Sequence, residues 1–165
     1  MPPEVRFEPE RGLSFPSDIW TLACAIWAIL GQRPLFEDIL ATQDDITAEQ
    51  VDVLGKLPLE WWEKWDARHE YFDERGETNP DRHVRSWEDR FEKHIQRPRQ
   101  EVGIPEFDME EKAAVIDMLR SMLSFRPERR LTAQSILKCE WMEKWALPEF
   151  GKSYFGTTYT GNPPG

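Results

Sequence analysis

The chain has 165 residues, and its 31 acidic and 21 basic side chains give a net charge of −10. This length suggests one domain, or at most one and a half. The acidic balance disfavours direct binding to nucleic-acid phosphates and favours a basic peptide as a charged partner. Eight tryptophans and nine phenylalanines supply enough large side chains for a core, so wholesale disorder is excluded.

The cysteine pattern and the chain's N-terminal composition indicate an intracellular protein. Cys24 and Cys139 are far apart and form no Cys-x-x-Cys pair, so zinc and thioredoxin chemistry have no support. The acidic, proline-rich start lacks the features of a secretory signal. The most apolar stretch, residues 19–30, is too short to span a bilayer. We therefore expect a cytoplasmic and/or nuclear location and no membrane partner.

The most apolar stretch predicts a central helix at about residues 18–30. Ser17 stands where an N-cap is needed, and Gly31 follows as a helix-ending residue. Only Asp18 and Thr21 within it are polar. A helix that is apolar all round is surrounded by protein, so this one is expected at the centre of the fold.

Two segments after the central helix carry helical patterns. Residues 46–54 are predicted as a short helix, with Thr47 and Gln50 at capping-box spacing. Residues 74–85 are polar and are predicted as a loop. Between these two segments, apolar and aromatic residues at steps of three and four form a stripe made of Leu59, Trp62, Trp65, His69 and Phe72.

Three further helices are predicted to open at Ser86, Asp108 and Thr132. A second loop is expected at residues 97–107, and a flexible Pro/Gly-rich tail at residues 148–165. No strand pattern of period two and no internal repeat occurs, so the predicted fold class is all-α. The helix that opens at Asp108 has an apolar face formed by Met109, Val115, Ile116, Leu119, Met122 and Leu123.

Three sequence blocks in one order carry a family resemblance. They are MPPEV at residues 1–5, SDIWTLACAIWAI at residues 17–29 and RPERRLTAQSILKCEWM at residues 126–142. Together they resemble the C-terminal (large) lobe of a eukaryotic protein kinase, from the Ala-Pro-Glu motif onward. The resemblance implies a partial kinase domain at residues 1–147, with Asp18 and Trp20 at the start of the lobe's buried central helix.

A finer resemblance concerns the run DDITAEQVDVLGKLP at residues 44–58. This run, followed by a long helical insert at about residues 59–106, is similar to the serine/threonine kinases that phosphorylate arginine/serine-repeat splicing factors. The resemblance implies transfer of the ATP γ-phosphoryl group to a protein serine, with an Arg/Ser-rich protein as the substrate.

The sequence lacks the motifs that perform this chemistry in the family. Phosphoryl transfer needs a glycine-rich loop, a strand lysine, a catalytic aspartate and a magnesium-binding aspartate. The chain contains no Gly-x-Gly, no His-Arg-Asp and no Asp-Phe-Gly. We therefore expect no catalytic, ATP-binding or metal-binding residue in this chain, no kinase activity from it alone, and a separate N-terminal kinase half as a partner.

Three charged residues have structural roles implied by the resemblance. Glu4 and Arg130 resemble the family's buried ion pair, although both could instead be solvated surface charges. Asp18 resembles the carboxylate that accepts hydrogen bonds from the catalytic loop. Its alternative is an ordinary acidic residue in the first turn of a helix.

Asp44, Asp45 and Asp52 are the candidate docking residues. The resemblance places Asp45 and Asp52 in an acidic groove that binds arginine-rich substrate, and carboxylates suit bidentate recognition of arginine. Arg33 departs from this pattern, because it stands where the subfamily has a further acid. The alternative is a solvated first helical turn.

Two other functions stay open beside a kinase lobe. The chain could be a non-catalytic acidic docking module for Arg-rich peptides, or a non-functional remnant with an exposed apolar face. A glycosidase or carbohydrate site around Trp61, Trp62 and Trp65 is outweighed by simple packing of a tryptophan stripe. The three histidines have no metal-binding spacing.

Overall fold

The computed structural model describes residues 1–31, 33–36 and 40–155, the last three through their backbone alone. The described part of the chain is all-α, as predicted, with one isolated antiparallel bridge between Phe72 and Thr78. Its α-helices are α1 Pro3–Phe7, α2 Phe15–Gly31, α3 Gln43–Leu54, α4 Leu59–Lys64, α5 Trp87–Phe91, α6 Arg97–Glu101, α7 Met109–Met122, α8 Ala133–Ile136 and α9 Leu147–Phe155.

The helix α2 is the central element, and it packs against α7 in the larger of two apolar clusters. It begins at Phe15, earlier than predicted, because Ser17 does not act as its cap. The Ser17 hydroxyl instead donates to Glu4 Oε1 at 2.9 Å. The expectation that protein surrounds α2 on all sides is also wrong, since Leu22 and Ile29 are exposed.

The helix α3 begins earlier than the sequence predicted. Its N-cap is Thr42, whose hydroxyl accepts from the backbone N–H of Asp45, while the Asp45 carboxylate accepts from the Thr42 backbone N–H. This reciprocal capping box replaces the predicted pair Thr47 and Gln50, both of which are buried within the helix. Gly55 ends α3 in a left-handed conformation, with φ of 90°.

The second apolar cluster forms around α4, where the observed burial differs from the predicted stripe. Trp61 and Trp65 are fully buried, and the Trp61 ring stacks on Phe7 with centroids 5.4 Å apart. Leu59 is exposed and Trp62 is only partly buried. Trp65 and Phe72 are buried as the stripe predicts, but α4 ends at Lys64 and a 3₁₀ segment, Asp66–Glu70, follows, so no single helix carries the whole stripe.

A helix opens at Ser86 as predicted, with a capping box between Ser86 and Asp89. It then passes through a π segment, Glu92–Gln96, into α6, whereas the sequence predicted a loop from residue 97. Pro98 has no N–H to donate to a carbonyl four residues earlier. A π turn next to such a proline keeps the chain helical.

In the C-terminal third, the helices start where the sequence predicted, but the predicted flexible tail is helical in its first part. Asp108 and Thr132 accept hydrogen bonds from the third residue of their helices, at 2.8 and 3.2 Å. Met109, predicted on the apolar face of α7, is exposed. The helix α9 extends to Phe155, so the first part of the predicted flexible tail is helical. Residues 156–165 of that tail lie outside the described residues.

Candidate functional site

Four carboxylates lie along α3, and we call them the acidic face of α3: Asp44, Asp45, Glu49 and Asp52. Two of them stand in the first helical turn, where the helix dipole stabilises negative charge. Asp45 and Asp52 are two turns apart and therefore share one side of the helix. Each of the four carboxylates contacts a side chain from outside α3.

Asp45 has uncharged hydrogen-bond partners. Its carboxylate accepts from the Thr42 backbone N–H at 2.8 Å, from the Thr42 hydroxyl at 2.6 Å and from the Tyr71 hydroxyl at 2.7 Å. The hydrogen bonds from Thr42 and Tyr71 hold the pKa of Asp45 below its ordinary value. Burial, together with the hydrogen bond to Asp45, raises the pKa of Tyr71 to about 12. At neutral pH, Asp45 is thus an ionised group that the Tyr71 phenol orients.

Asp44 is paired with a cation from the N-terminal helix. The Arg6 guanidinium donates to its Oδ1, and Trp65 Nε1 donates to the same oxygen at 2.7 Å. Arg6 also donates to the Thr47 hydroxyl at 2.6 Å and lies 5.8 Å from the Trp65 ring centroid. The hydrogen bond from Arg6 holds the pKa of Asp44 below its ordinary value. This pair fastens α1 to the start of α3.

Asp52 is the most enclosed of the candidate residues, with a side chain only 3% exposed. Arg82 donates to its two oxygens at 3.2 and 2.6 Å. The Arg82 guanidinium also lies 5.2 Å from the Tyr71 ring centroid and 5.0 Å from that of Phe72. Burial raises the pKa of Asp52 more than the hydrogen bonds from Arg82 lower it.

The arginines that meet the acidic face of α3 were not found from the sequence. Arg82 stands in the segment predicted as a polar loop, and Arg85 donates to Glu49 at 3.0 Å from the end of the same segment. Arg6 follows the Pro-Pro-Glu block. The sequence shows arginines in the N-terminal segment and in the loop at residues 74–85. It does not show their partners, which lie 30 or more positions away.

Glu4 and Arg130 form a buried bidentate ion pair. Arg130 Nη1 donates to Glu4 Oε1 at 2.8 Å, and Nη2 donates to Oε2 at 2.6 Å. Arg130 also donates to the carbonyls of Pro16, Ser124 and Phe125. Burial raises the pKa of Glu4, but the hydrogen bonds from Arg130 and Ser17 outweigh it, and the pKa lies below its ordinary value. The pair joins the first helix to the segment before α8.

Asp18 and Trp20 take different positions on α2. Trp20 is buried, and the Arg130 guanidinium lies 5.0 Å from its ring centroid. Asp18 is exposed at the edge of an apolar surface cavity of about 660 Å³. We call this surface the open face of α2; its lining includes Phe15, Ile19, Leu22 and Leu131.

The described residues also bear on metal binding, on thiol reactivity and on membrane insertion. In residues 1–31, 33–36 and 40–155, no three His, Cys, Asp or Glu side chains are grouped so that they could hold a metal ion. Burial raises the pKa of the Cys24 thiol to about 11, which leaves it protonated at neutral pH. Among the described helices, none is both long and apolar enough to cross a membrane.

Comparison with known proteins assigns the family. The model of the protein kinase domain matches residues 1–142, so the chain belongs to the protein kinase domain family. It is similar to the serine/threonine-protein kinase SRPK of Physarum polycephalum, with 26% identity over 76% of this chain and 29% of that protein. It is also similar to the serine/threonine-protein kinase AFC2 of Arabidopsis thaliana, with 27% identity over 77% of this chain and 29% of that protein.

A third relative is SRSF protein kinase 3 of Homo sapiens, which is 25% identical over 77% of this chain and 22% of its own length. The chain thus spans between a fifth and a third of the length of these three relatives. The resemblance to SR-protein kinases and the all-α architecture expected of a kinase C-terminal lobe are both confirmed.

The protein kinase family, to which the chain belongs, uses ATP and magnesium. The sequence has no Gly-x-Gly, His-Arg-Asp or Asp-Phe-Gly motif. The carboxylates of the acidic face of α3 are engaged by arginine, threonine and tyrosine side chains. We therefore derive no step of phosphoryl transfer from these residues.

Proposed function

We propose that this chain acts as the C-terminal lobe of an SR-protein-kinase-like serine/threonine kinase, providing scaffold and a docking surface for Arg-rich substrate. The observation that carries the proposal is that the acidic face of α3 already binds guanidinium groups. Arg6, Arg82 and Arg85 each meet one of its carboxylates. A surface that binds arginines of its own chain has the charge and geometry to bind arginines of a substrate.

Within this face, Asp45 is the residue we expect an arginine of the substrate to engage first. Its hydrogen-bond partners Thr42 and Tyr71 are uncharged. Asp44 and Asp52 can accept a substrate arginine only when Arg6 or Arg82 moves away. Docking at these two carboxylates is therefore an exchange of one guanidinium for another.

Fluorescence anisotropy with a labelled Arg/Ser-repeat peptide tests this proposal. We expect the wild-type chain to bind and the affinity to fall as salt rises, since exposed ionic contacts are screened. Asp45→Asn removes the charge while keeping the side-chain size, and it should weaken binding by about 10-fold. The matched control is Asp117→Asn, at an exposed carboxylate of α7. Equal affinities for the two variants, or binding that salt does not change, would overturn the docking role.

The proposal does not give the chain the chemical step. In the family, ATP and magnesium supply and activate the phosphoryl group, and the parent reaction transfers it to a serine hydroxyl. We expect the purified chain alone to show no ATP-dependent phosphorylation of an Arg/Ser peptide. Phosphorylation that disappears when ATP is withheld would refute this. The proposed location, cytoplasmic and/or nuclear, can be tested with a fluorescently tagged chain.

The open face of α2 supports a second part of the proposal, which is that the N-terminal half of a kinase domain packs there. Phe15 is 88% exposed and Leu22 is 44% exposed beside the carboxylate of Asp18. Apolar surface of this kind beside a polar group is typical of an interface. The family resemblance implies that Asp18 accepts hydrogen bonds from backbone N–H groups of the catalytic loop.

This part can be tested by co-expression with the kinase segment that precedes the matched region in the Physarum relative. We expect co-purification that Leu22→Lys abolishes, with no effect from Lys138→Ala on exposed surface elsewhere. Peptide binding without association would instead favour the non-catalytic docking module. Absence of both would favour a non-functional remnant.

A further inference from the structure

A basic cavity lies at the C-terminal end of α3, and no residue of the acidic face of α3 lines it. It has a volume of about 590 Å³ and is open to solvent. Its wall is formed by the end of α3, by the turn that follows it at residues 55–58, by the C-terminal end of α7 and by residues 123–126 and Arg129. Trp87 of α5 contributes an aromatic side chain to the same wall.

The charge of this cavity is opposite to that of the whole chain. We call its cations the basic cluster: Lys56, Arg120, Arg126 and Arg129. No carboxylate belongs to the described residues that line the cavity. The chain as a whole has 31 acidic and 21 basic side chains, so a wall with four cations and no acid departs strongly from its composition.

The cations of the basic cluster keep unused hydrogen-bond donors. The Arg120 guanidinium lies 5.5 Å from the Trp87 ring centroid, which orients it without using its N–H groups. Lys56 donates one hydrogen bond, to the Arg75 carbonyl at 2.8 Å, and Arg126 donates to Glu60 at 2.6 Å. Within the described part of the chain, the Arg129 side chain has no hydrogen bond or ion pair.

Helix dipoles explain only half of the cluster. Arg120 lies in the last turn of α7, and Lys56 follows the C-terminal end of α3. Both positions favour a cation whatever its function. Arg126 and Arg129 lie outside these helices, in and beside a 3₁₀ turn, and gain nothing from those two dipoles. Arg126 pairs with Glu60 at 2.6 Å, so within the described part of the chain Arg129 is the cation that neither a helix dipole nor an ion pair explains.

We propose that the basic cavity binds a phosphorylated serine segment of a partner protein. A phosphoserine carries nearly two negative charges and three strong acceptor oxygens, which matches a wall that holds three arginines, one lysine and no carboxylate. The cavity volume exceeds what one phosphate group fills, and the apolar residues Leu57 and Pro58 in its wall can contact the neighbouring residues of a peptide. This inference does not rest on docking at the acidic face of α3.

The test is fluorescence anisotropy with a labelled peptide that carries one phosphoserine between neutral residues. Such a peptide offers no arginine to the acidic face of α3, so it reports on the basic cavity alone. We expect wild-type binding, about 10-fold weaker binding for Arg129→Ala and no detectable binding for the double variant Arg120→Ala/Arg129→Ala. Both side chains are exposed, so circular dichroism should show an unchanged fold.

The controls for this test are a variant outside the cavity, the unphosphorylated peptide and inorganic phosphate. Lys138→Ala removes an exposed cation outside the cavity and should leave binding unchanged. Equal affinity for the phosphorylated and unphosphorylated peptides, or no effect of Arg129→Ala, would overturn the proposal. Inorganic phosphate should compete only weakly. If it binds as tightly as the peptide, the site takes a free anion and the proposed peptide ligand is wrong.

Discussion

Arg82 and Asp52 form a bidentate ion pair across 30 positions of the chain, with N···O distances of 3.2 and 2.6 Å. The pair joins the predicted helical insert, at about residues 59–106, to the acidic face of α3. Aromatic rings of Tyr71 and Phe72 lie against the same guanidinium. The insert therefore presents to Asp52 the group that an Arg-rich substrate would present. Under the proposed docking function, Arg82 and the substrate compete for one carboxylate.

We predict that Arg82→Ala strengthens binding of an Arg/Ser peptide and destabilises the free chain. The variant removes the competitor, but it leaves a largely enclosed carboxylate without its cation, which costs about 1–3 kcal/mol. A substrate arginine that replaces Arg82 restores part of this energy. In thermal unfolding, the peptide should therefore raise the Tm of Arg82→Ala more than that of wild type.

Arg75→Ala is the matched control for this prediction. Arg75 belongs to the same insert, and its side chain forms no ion pair with the described residues. It should change neither the peptide affinity nor the unfolding temperature. A peptide that stabilises Arg82→Ala and wild type equally would show that Asp52 is not a docking group.

Helix starts could be predicted from the sequence where a cap acts over three residues. Ser86, Asp108 and Thr132 each receive a hydrogen bond from the backbone N–H of the third helical residue. Such contacts depend on neighbouring residues and are visible as spacing. Ser17 fits the same pattern but donates to Glu4, a residue that only the fold brings close.

The partners of the candidate docking residues could not be predicted for the same physical reason. A row of aspartates on α3 indicates a negative surface but not which cation reaches it. Asp44 and Arg6 are 38 positions apart, and their contact depends on how α1 packs on Trp65. Tertiary packing also decides that Asp52 is buried while Asp18 is exposed.

We predict that Glu4→Gln is strongly destabilising. The Glu4 and Arg130 side chains are 2% and 0% exposed, so the variant leaves a buried guanidinium without its counter-charge. The expected loss is about 3–5 kcal/mol in the free energy of unfolding, measured by urea denaturation. Glu149→Gln breaks an exposed pair with Lys152 and should change nothing measurable. Similar losses for both variants would contradict the structural role of the buried pair.

The pKa shifts of the paired carboxylates predict loss of stability in acid. Glu4, Asp44 and Asp45 have pKa values below their ordinary values in the folded chain. The unfolded chain therefore binds more protons, and stability rises with pH in this range. Their contribution is complete above the unfolded-state pKa, at about pH 4, and is lost as the pH falls through the folded values.

Asp52 contributes to the pH dependence of stability with the opposite sign, because its pKa is raised in the folded chain. It lowers stability as the pH rises through its folded value, so it partly offsets the other three carboxylates. Urea denaturation between neutral pH and about pH 3 should show a net decrease in the free energy of unfolding toward acid. The free energy of unfolding should change less with pH in Glu4→Gln than in wild type. A slope unchanged by this variant would exclude Glu4 as a contributor.

We predict opposite effects for two glycine-to-alanine variants in helices. A Cβ at Gly31, the last residue of α2, would lie 2.7 Å from the His94 carbonyl oxygen and 3.0 Å from the Ile95 side chain. The carbonyl belongs to the π segment before Pro98, where the backbone is fixed by packing against α2. Gly31→Ala should therefore lower the free energy of unfolding by about 1–3 kcal/mol.

Gly151 in α9 is the matched control, because a Cβ there meets no atom of the described residues within 4 Å beyond its chain neighbours and its own helix backbone. Gly151→Ala removes backbone freedom from the unfolded chain and should be neutral or stabilising by about 0.5–1 kcal/mol. Urea denaturation of both variants measures the difference. If Gly31→Ala proves as stable as Gly151→Ala, the π segment can shift without loss of stability. The close contact between α2 and His94 would then not constrain the core.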